Sequence, residues 1–332
     1  MRGRDATAAE VAAALLAPGA RPVITSHHNP DADAIGSMLG LARALRAAGQ
    51  DVTLAHADEP PVPGDLTFLL GPGEEILARP PADLDRRTYV AVDCASEKRM
   101  WSEEFHEVAA TTVNIDHHKD NTRYGDLNHV LPDASSTAEV LMGVIAAAGI
   151  VLTPEIAAPL YAGMVTDTGR FGYTNTSPAT HRAAAVLLET GIDHHELGRR
   201  LYEDQPRDRL ALMGRALMRA EYRADGRFAT AVLTDEDVAD AGGEDTEGIV
   251  EMMRAGRGVA VAALVRAGGP PGAWRVSLRT THPDVDVGAI AGAEGGGGHR
   301  AAAGFTTQSD PAELLDRIEG EVRARLGDAT VR

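Results

Sequence analysis

Aromatic residues are scarce in this chain: five Phe, two Trp and six Tyr make up 4% of its 332 residues. That scarcity argues against the stacked aromatic platforms on which proteins lay out long single strands of nucleic acid. Cysteine is scarcer still. The lone Cys94 excludes an internal disulfide and fits a reducing compartment. Long apolar runs are missing too, since no stretch approaches the roughly 20 residues that a membrane span needs. The first twenty residues, MRGRDATAAEVAAALLAPGA, have the length of a signal peptide, yet Asp5 and Glu10 interrupt them and the apolar positions suit an amphipathic helix. These absences point to a cytoplasmic protein with no membrane partner. Basic charge is the fourth shortage. Lys and Arg number 32 against 49 Asp and Glu, a net charge of −17. A protein that grips a long phosphate backbone usually carries a basic stripe, so a nucleic-acid ligand here is expected to be small or met by a local basic pocket.

What is present is ordinary globular material, 44% hydrophobic and 24% charged, in a length that exceeds the usual limit of one core. The first half alternates short β-like runs, at 21–25, 52–55, 89–92 and 111–115, with helical stretches at 34–49, 137–148 and 154–165. Ser136 and Glu139 form a capping box before the second of these helices. Such alternation predicts an α/β fold with a parallel sheet whose ligands collect at the carboxyl ends of the strands. Helical patterns then run from 180 to about 220, broken near Gly191. Strand-like runs at 228–234, 259–265 and 274–280 follow, with helices near 246–254 and 311–325. The expected division is a catalytic domain over 1–190, a helical linker over 191–215 and a smaller α/β domain over 216–332.

Four segments gather chemistry where elements of the first half end. They are His27-His28-Asn29-Pro30-Asp31-Ala32-Asp33, Asp93 after the apolar run 89–92, Asp116-His117-His118 after 111–115, and Thr166-Asp167-Thr168-Gly169 after a helix. A single acid at a strand end is an ordinary helix cap or turn residue. Four acidic or imidazole clusters along one sheet edge repel one another unless cations offset the charge. Imidazole with carboxylate oxygen suits Mn²⁺, Mg²⁺ or Zn²⁺. Two such ions about 3.5–4 Å apart can share a deprotonated water and clamp an in-line phosphoryl displacement. Spacing alone leaves open whether His27 or His28 is the ligand. Pro30 is expected to hold an extended loop from which Asp31 and Asp33 point the same way.

The segments HHNPDADAIGS, VDCAS, IDHH and GMVTDTGRF resemble, in order, the four motifs of the DHH phosphoesterases. GGGGHRAAAGF near the end resembles the signature of the DHH-associated C-terminal domain. The resemblance extends from about Arg21 to Thr307. The resemblance implies that His27, Asp31 and Asp93 bind one metal, and that Asp33, Asp93, His117 and Asp167 bind a second, Asp93 bridging. Asp116 would orient His117 through its other ring nitrogen, and His118 would face the substrate phosphate. It also implies two divalent ions, Mn²⁺ foremost, and a homodimer. The implied substrates are RNA dinucleotides to pentanucleotides, linear or cyclic dinucleotides and 3′-phosphoadenosine 5′-phosphate.

A second D-H-H, Asp193-His194-His195, follows a helix rather than a strand. With Glu196 three residues on from Asp193, it reads as a helix start. His56, His106, His129 and His181 have no clustered partners in the sequence and read as surface or core residues. From Met252 to Pro283 there is no Asp or Glu, although Arg254, Arg257, Arg266, Arg275 and Arg279 fall there; Gly295 to Ser309 is acid-free as well. Arg279 and His299 are the expected phosphate contacts, with Gly297 and Gly298 as backbone donors and Arg300 beside them. A cleft between the two domains is the expected active site. Rivals are a cyclic-dinucleotide phosphodiesterase or a longer-strand exonuclease of the same family, a family pyrophosphatase, which lacks the GGGGH element, and a non-catalytic nucleotide sensor. The full ligand set weighs against the sensor.

Overall fold

A computed structural model describes residues 3–100, 108–242, 246, 248–298 and 300–327. Contacts divide the chain into two units, Met1–Asp204 and Gln205–Arg332.

The first unit is built on β1 (Arg4–Asp5), β2 (Val23–Thr25), β3 (Thr53–Leu54), β4 (Thr88–Val92), β5 (Thr111–Asp116) and β6 (Leu127–Val130). They form one parallel sheet in the order β1-β6-β5-β4-β2-β3. All five residues of β4 are buried, as expected of a parallel strand covered on both faces. Alternation along it divides the core. Val90 and Val92 pack with Ile24, Val113 and Ile115 under the helices, whereas Tyr89 and Ala91 join Val23, Cys94, Met100 and Tyr124 on the other side. Each large side chain so buried contributes roughly 1.5–3 kcal/mol. The helices are α1 (Ala8–Leu15), α2 (Ala32–Ala47), α3 (Thr137–Ala147), α4 (Pro154–Asp167), α5 (Pro178–Glu189) and α6 (His194–Tyr202). From β2 the chain moves outward to β3 and returns to β4 on the opposite side. The gap between β2 and β4 is therefore the topological switch point, where open α/β sheets bind ligands. The loops that leave β2 and β4 there carry His27–Asp33 and Asp93.

The second unit has α7 (Arg207–Met218), α8 (Asp235–Ala241), α9 (Ile249–Arg254), α10 (Val287–Ala293) and α11 (Pro311–Leu326). Its strands are β7 (Glu221–Arg223), β8 (Phe228–Leu233), β9 (Val261–Ala267), β10 (Trp274–Thr280), β11 (Gly297–Gly298) and β12 (Ala302–Thr307). They form a mixed sheet in the order β11-β12-β10-β9-β8-β7, parallel at β8–β9 and antiparallel elsewhere. Helices α10 and α11 bury one face against Val276, Leu278, Ala303 and Phe305. On the other face α7 and α9 cover β8 and β9, and the β10 side chains Arg275, Ser277 and Arg279 retain exposure.

Sequence and structure differ at several boundaries. The stretch expected as a linker divides, because α6 packs on α4 in the first unit and α7 on β8 and α8 in the second. Strand β9 begins at Val261, two residues late, since Val259 closes the turn after α9 on Gly256 O and Ala260 bonds Arg227 O. Helix α2 begins at Ala32, with Asp31 as its N-cap: Asp31 Oδ1 accepts the backbone N–H groups of Asp33 and Ala34 at 3.0 Å each. Asp33 thus sits in the first helical turn and not in an extended loop. Two satisfied helix-end donors outweigh the extended bias of Pro30. Among the described residues, no helix is long and apolar enough to cross a membrane.

Candidate metal centre

The carboxyl ends of β2, β4 and β5 and the last residue of α4 bring one set of side chains together. His27, Asp31 and Asp93 offer ligand atoms within 4.8 Å of one another; so do Asp33, His117 and Asp167, and so do Asp93, Asp116, His117 and His118. His27 Nε2 lies 3.4 Å from Asp93, while His117 Nε2 lies 3.7 Å from Asp93 and 3.5 Å from Asp167. Asp93 is thus shared by the first and last of these groups, and His117 links the last to Asp33 and Asp167. It adopts φ 53°, a left-handed conformation that costs a non-glycine residue energy and that clusters at functional sites. Its N–H still bonds Ile115 O at 3.0 Å, and Thr137 Oγ1 donates to its Oδ1 at 3.0 Å.

Burial of this much charge has electrostatic consequences. Asp33 is 1% exposed, and its carboxylate accepts the N–H groups of Thr137 and Ala138 at 2.7 and 3.0 Å, the positive end of α3. Gly163 of α4 permits this approach, since a Cβ there would lie 2.7 Å from Asp33 Oδ1. Desolvation, then repulsion from Asp93, Asp167 and Asp31, nevertheless holds Asp33 well above the usual carboxylate range. Burial likewise pushes Asp167 up to about 7, against the pull of His117. For Asp93 burial is outweighed by the hydrogen bond and charge of His27 and by the charges of His118 and His117, and it falls below its ordinary value. Burial lowers His27 and His118, but their carboxylate partners win; His118 rises to about 9. Carboxylates driven together until some retain protons form a donor set that divalent cations complete, and the hard oxygen and imidazole donors present fit such ions.

Asp116 plays a different part from the one expected. Its Oδ1 accepts the backbone N–H of His117 and bonds His118 Nδ1, both at 2.8 Å, whereas His117 Nδ1 faces Ala134 O at 3.4 Å. Asp116 therefore orients His118, while the other ring nitrogen of His117 is met by a backbone carbonyl. Asn121 holds Asp116 Oδ2 at 2.5 Å. Cys94 is buried, its thiol pushed up to about 12 by burial, which suits packing.

Sequence reasoning missed several supporting residues. His56 is fully buried, with Nε2 2.9 Å from His27 O, and Asp58 meets His28 Nδ1 at 2.9 Å and accepts the Asn29 N–H at 2.5 Å. Asn175 donates to the carbonyls of Asp167 and Ser135. The parallel pairing that sets β3 beside β2 brings the 56–58 loop to the His27 loop; no local motif announces it. His106 lies outside the described residues.

The second D-H-H is not part of the cluster. Asp193 caps α6 by accepting Glu196 N–H at 2.9 Å, and His194 and His195 are exposed. Replacing both by alanine is expected to leave bound metal and turnover within about twofold of wild type, because exposed substitutions away from a site cost little. Metal analysis of the double variant checks this, and metal loss would show that the wrong pair was chosen.

In the second unit, Arg279 Nε bonds Glu251 at 2.6 Å. Glu251 lies one residue before the acid-free stretch, which hid this pairing in the sequence. Gly297, Gly298 and Arg300 are exposed at the edge of the sheet. Gly298 has φ 141°, and a Cβ would lie 2.5 Å from Ala303 Cα, so close packing on β12 by itself requires glycine there. His299 lies outside the described residues.

Residues 21–164 match the model of the DHH family, N-terminal domain, and residues 225–327 match that of the DHHA1 domain. The bifunctional oligoribonuclease and PAP phosphatase NrnA of Thermus thermophilus is 37% identical over 305 residues, 91% of this chain and 89% of that protein. An exopolyphosphatase-related protein from Bacteroides fragilis superposes with TM-score 0.85 at 26% identity, covering 96% of this chain and 97% of that one. Exonuclease RecJ bound to manganese shares the fold at TM-score 0.56 and 21% identity, covering 97% and 96%. With identity at that level along nearly the whole of both chains, and both domain models matched, this chain belongs to the DHH family.

Proposed function

We propose that the chain is a two-metal phosphoesterase that hydrolyses short RNA oligonucleotides, dinucleotides and 3′-phosphoadenosine 5′-phosphate to mononucleotides. The observation that carries this reading is the sharing of Asp93 between two groups of candidate ligands. The names of the NrnA relatives, oligoribonuclease and PAP phosphatase, support the substrate class. His27, Asp31 and Asp93 would hold one ion; Asp33, Asp93, His117 and Asp167 would hold the other. Mn²⁺ is the ion we assign, in line with the manganese-bound fold relative. Bound there, the pair supplies Lewis-acid chemistry: it neutralises phosphate charge and acidifies water.

The protein's own part is positioning and proton handling. Asp116 fixes the His118 ring through Nδ1, which turns Nε2 to the far side of the imidazole. A His118 that titrates at about 9 is charged at neutral pH. Its Nε2–H would bind a phosphate oxygen and give its proton to the departing ester oxygen as negative charge builds there. The second unit would contribute Arg279, the Gly297 and Gly298 amides, His299 and Arg300 to the distal nucleotide.

A 5′-labelled RNA length ladder, with cyclic dinucleotides and 3′-phosphoadenosine 5′-phosphate alongside, tests the reading by product analysis before and after metal removal. Cleavage confined to cyclic dinucleotides, or none with metal present, would overturn it. Arg279→Ala is expected to lower dinucleotide kcat/KM by about 10–100-fold, the worth of one charge-assisted phosphate contact. It should spare metal content and hydrolysis of a small activated phosphodiester. Wild type should also favour dinucleotides over long strands at physiological salt, because a chain of net charge −17 repels extended polyanions. Equal kcat/KM for both lengths would refute the length preference.

A further inference from the structure

Arg99 occupies a position that the ligand set leaves unexplained. It lies six residues after Asp93, in a short 3₁₀ turn, Glu97–Arg99. Its carbonyl accepts the N–H of His28 at 2.8 Å, and the next residue, Met100, bridges to His27. The backbone thereby pins Arg99 against the first histidine motif, and its charge opposes protonation of His118 in the third. Yet Nη1 of Arg99 is buried and has no hydrogen-bond partner among the described residues. Elsewhere in the same unit Arg21, Arg43, Arg46, Arg87 and Arg123 are each paired with a carboxylate. Arg99 as a residue is half-buried, yet its Nη1 is enclosed without an acceptor, which sets it apart from these five in a chain with so large an excess of acid. A buried charged donor left without an acceptor is costly, and an incoming anion removes that cost. The planar fork of arginine matches the oxygens of phosphate.

We propose that Arg99 is a substrate-binding residue that holds a non-bridging oxygen of the phosphate ester undergoing hydrolysis. The proposal rests on the phosphoesterase reading above. In that reaction the oxygen of water bonds to phosphorus as the phosphorus–ester oxygen bond breaks. The departing alcohol takes its proton from His118, which regains one of the two water protons, and the other is released to solvent. Arg99 neither gives nor takes a proton; it stays charged and neutralises the oxygen on which negative charge accumulates.

The test uses the full-length, metal-loaded protein and three variants, Arg99→Gln, Arg99→Ala and Arg99→Lys. We expect Arg99→Gln to lose about 100-fold or more in dinucleotide kcat/KM, as for removal of one donor aimed at developing charge. Metal content should stay at the wild-type value. Calorimetry with inorganic phosphate should show affinity lowered by about tenfold. Millimolar guanidinium should restore part of the activity of Arg99→Ala, and Arg99→Lys should retain more than Arg99→Gln; a purely structural role would show neither. Activity of Arg99→Gln within about threefold of wild type, unchanged phosphate affinity, or a loss matched by equal loss of metal would each overturn the proposal. Should wild type hydrolyse no phosphoester at all, the phosphoesterase reading fails, and the phosphate titration still decides whether Arg99 forms an anion site.

Discussion

Replacing Asp93 with asparagine is expected to lower turnover by on the order of 10⁴-fold, as removal of a central catalytic group does. Bound metal should fall from two ions per chain towards one or none. Asparagine matches aspartate in shape and tolerates the left-handed conformation at φ 53°, so the backbone turn after β4 has no reason to change. What changes is charge. Asp93 lies within 4 Å of His27, His117 and His118, and it alone connects the His27–Asp31 group with the group that includes His117. An amide in its place offers one neutral oxygen where a carboxylate served both ions. Metal content by elemental analysis and dinucleotide turnover decide the matter together. Full activity with normal stoichiometry would remove the basis for a bridging role.

Stripping the metal should make the protein progressively less stable as pH rises from 6 to 8.5, by about 2–4 kcal/mol. Burial raises Asp167 to about 7 and Asp33 well above its ordinary value. A group raised on folding contributes stability that is complete below its unfolded value and is lost as pH climbs through the folded one. For Asp167 that loss builds from the ordinary carboxylate range and is complete just above neutral pH, so its last part falls in this window. His118, raised to about 9 by Asp116 and Asp93 against the effect of burial, obeys the same sign and loses its contribution towards the top of the window. Groups shifted the other way, such as Glu74 and Asp83, titrate below it. Saturating Mn²⁺ should remove or reverse the slope, because cation binding favours the deprotonated ligands and stabilises only the folded state. Thermal melting of chelator-treated protein at pH 6 and 8.5, with and without Mn²⁺, reads this directly. A melting temperature that is flat or rising with pH in the chelated sample would contradict the electrostatics of the cluster.

Much of the centre is legible in the sequence because each candidate ligand stands at the end of a periodic element. Apolar runs such as 89–92 announce β4, and an acid directly after a parallel strand lies at the sheet edge where ligands gather. The contributions that stayed hidden are those made across the fold. His56 and Asp58 reach the His27 loop only because β3 pairs with β2, and Thr137 reaches Asp93 only because the N-terminus of α3, capped by Ser136 while Glu139 turns instead to Ser135, is aimed at the switch point. Asp31 shows a different limit. A helix cap and a metal ligand are alternative roles for an acid at a strand end, yet this carboxylate serves α2 through Oδ1 while standing among the candidate ligands. The family pattern gives order along the chain, and order alone pairs Asp116 with His117. Which imidazole meets the acid depends on how the turn after β5 rotates successive side chains. In the second unit, an acid-free window drawn along the chain missed Glu251, since a helix places residues beside strands distant in sequence.

The burial of Cys94 has a practical consequence. A fully enclosed thiol that ionises only near 12 is a poor target for alkylating reagents. Cysteines introduced at exposed positions, one in each unit, would therefore take up maleimide dyes without removal of the native residue. Fluorescence energy transfer between such dyes would report how far apart the two units stand in solution, and whether a bound nucleotide changes that distance.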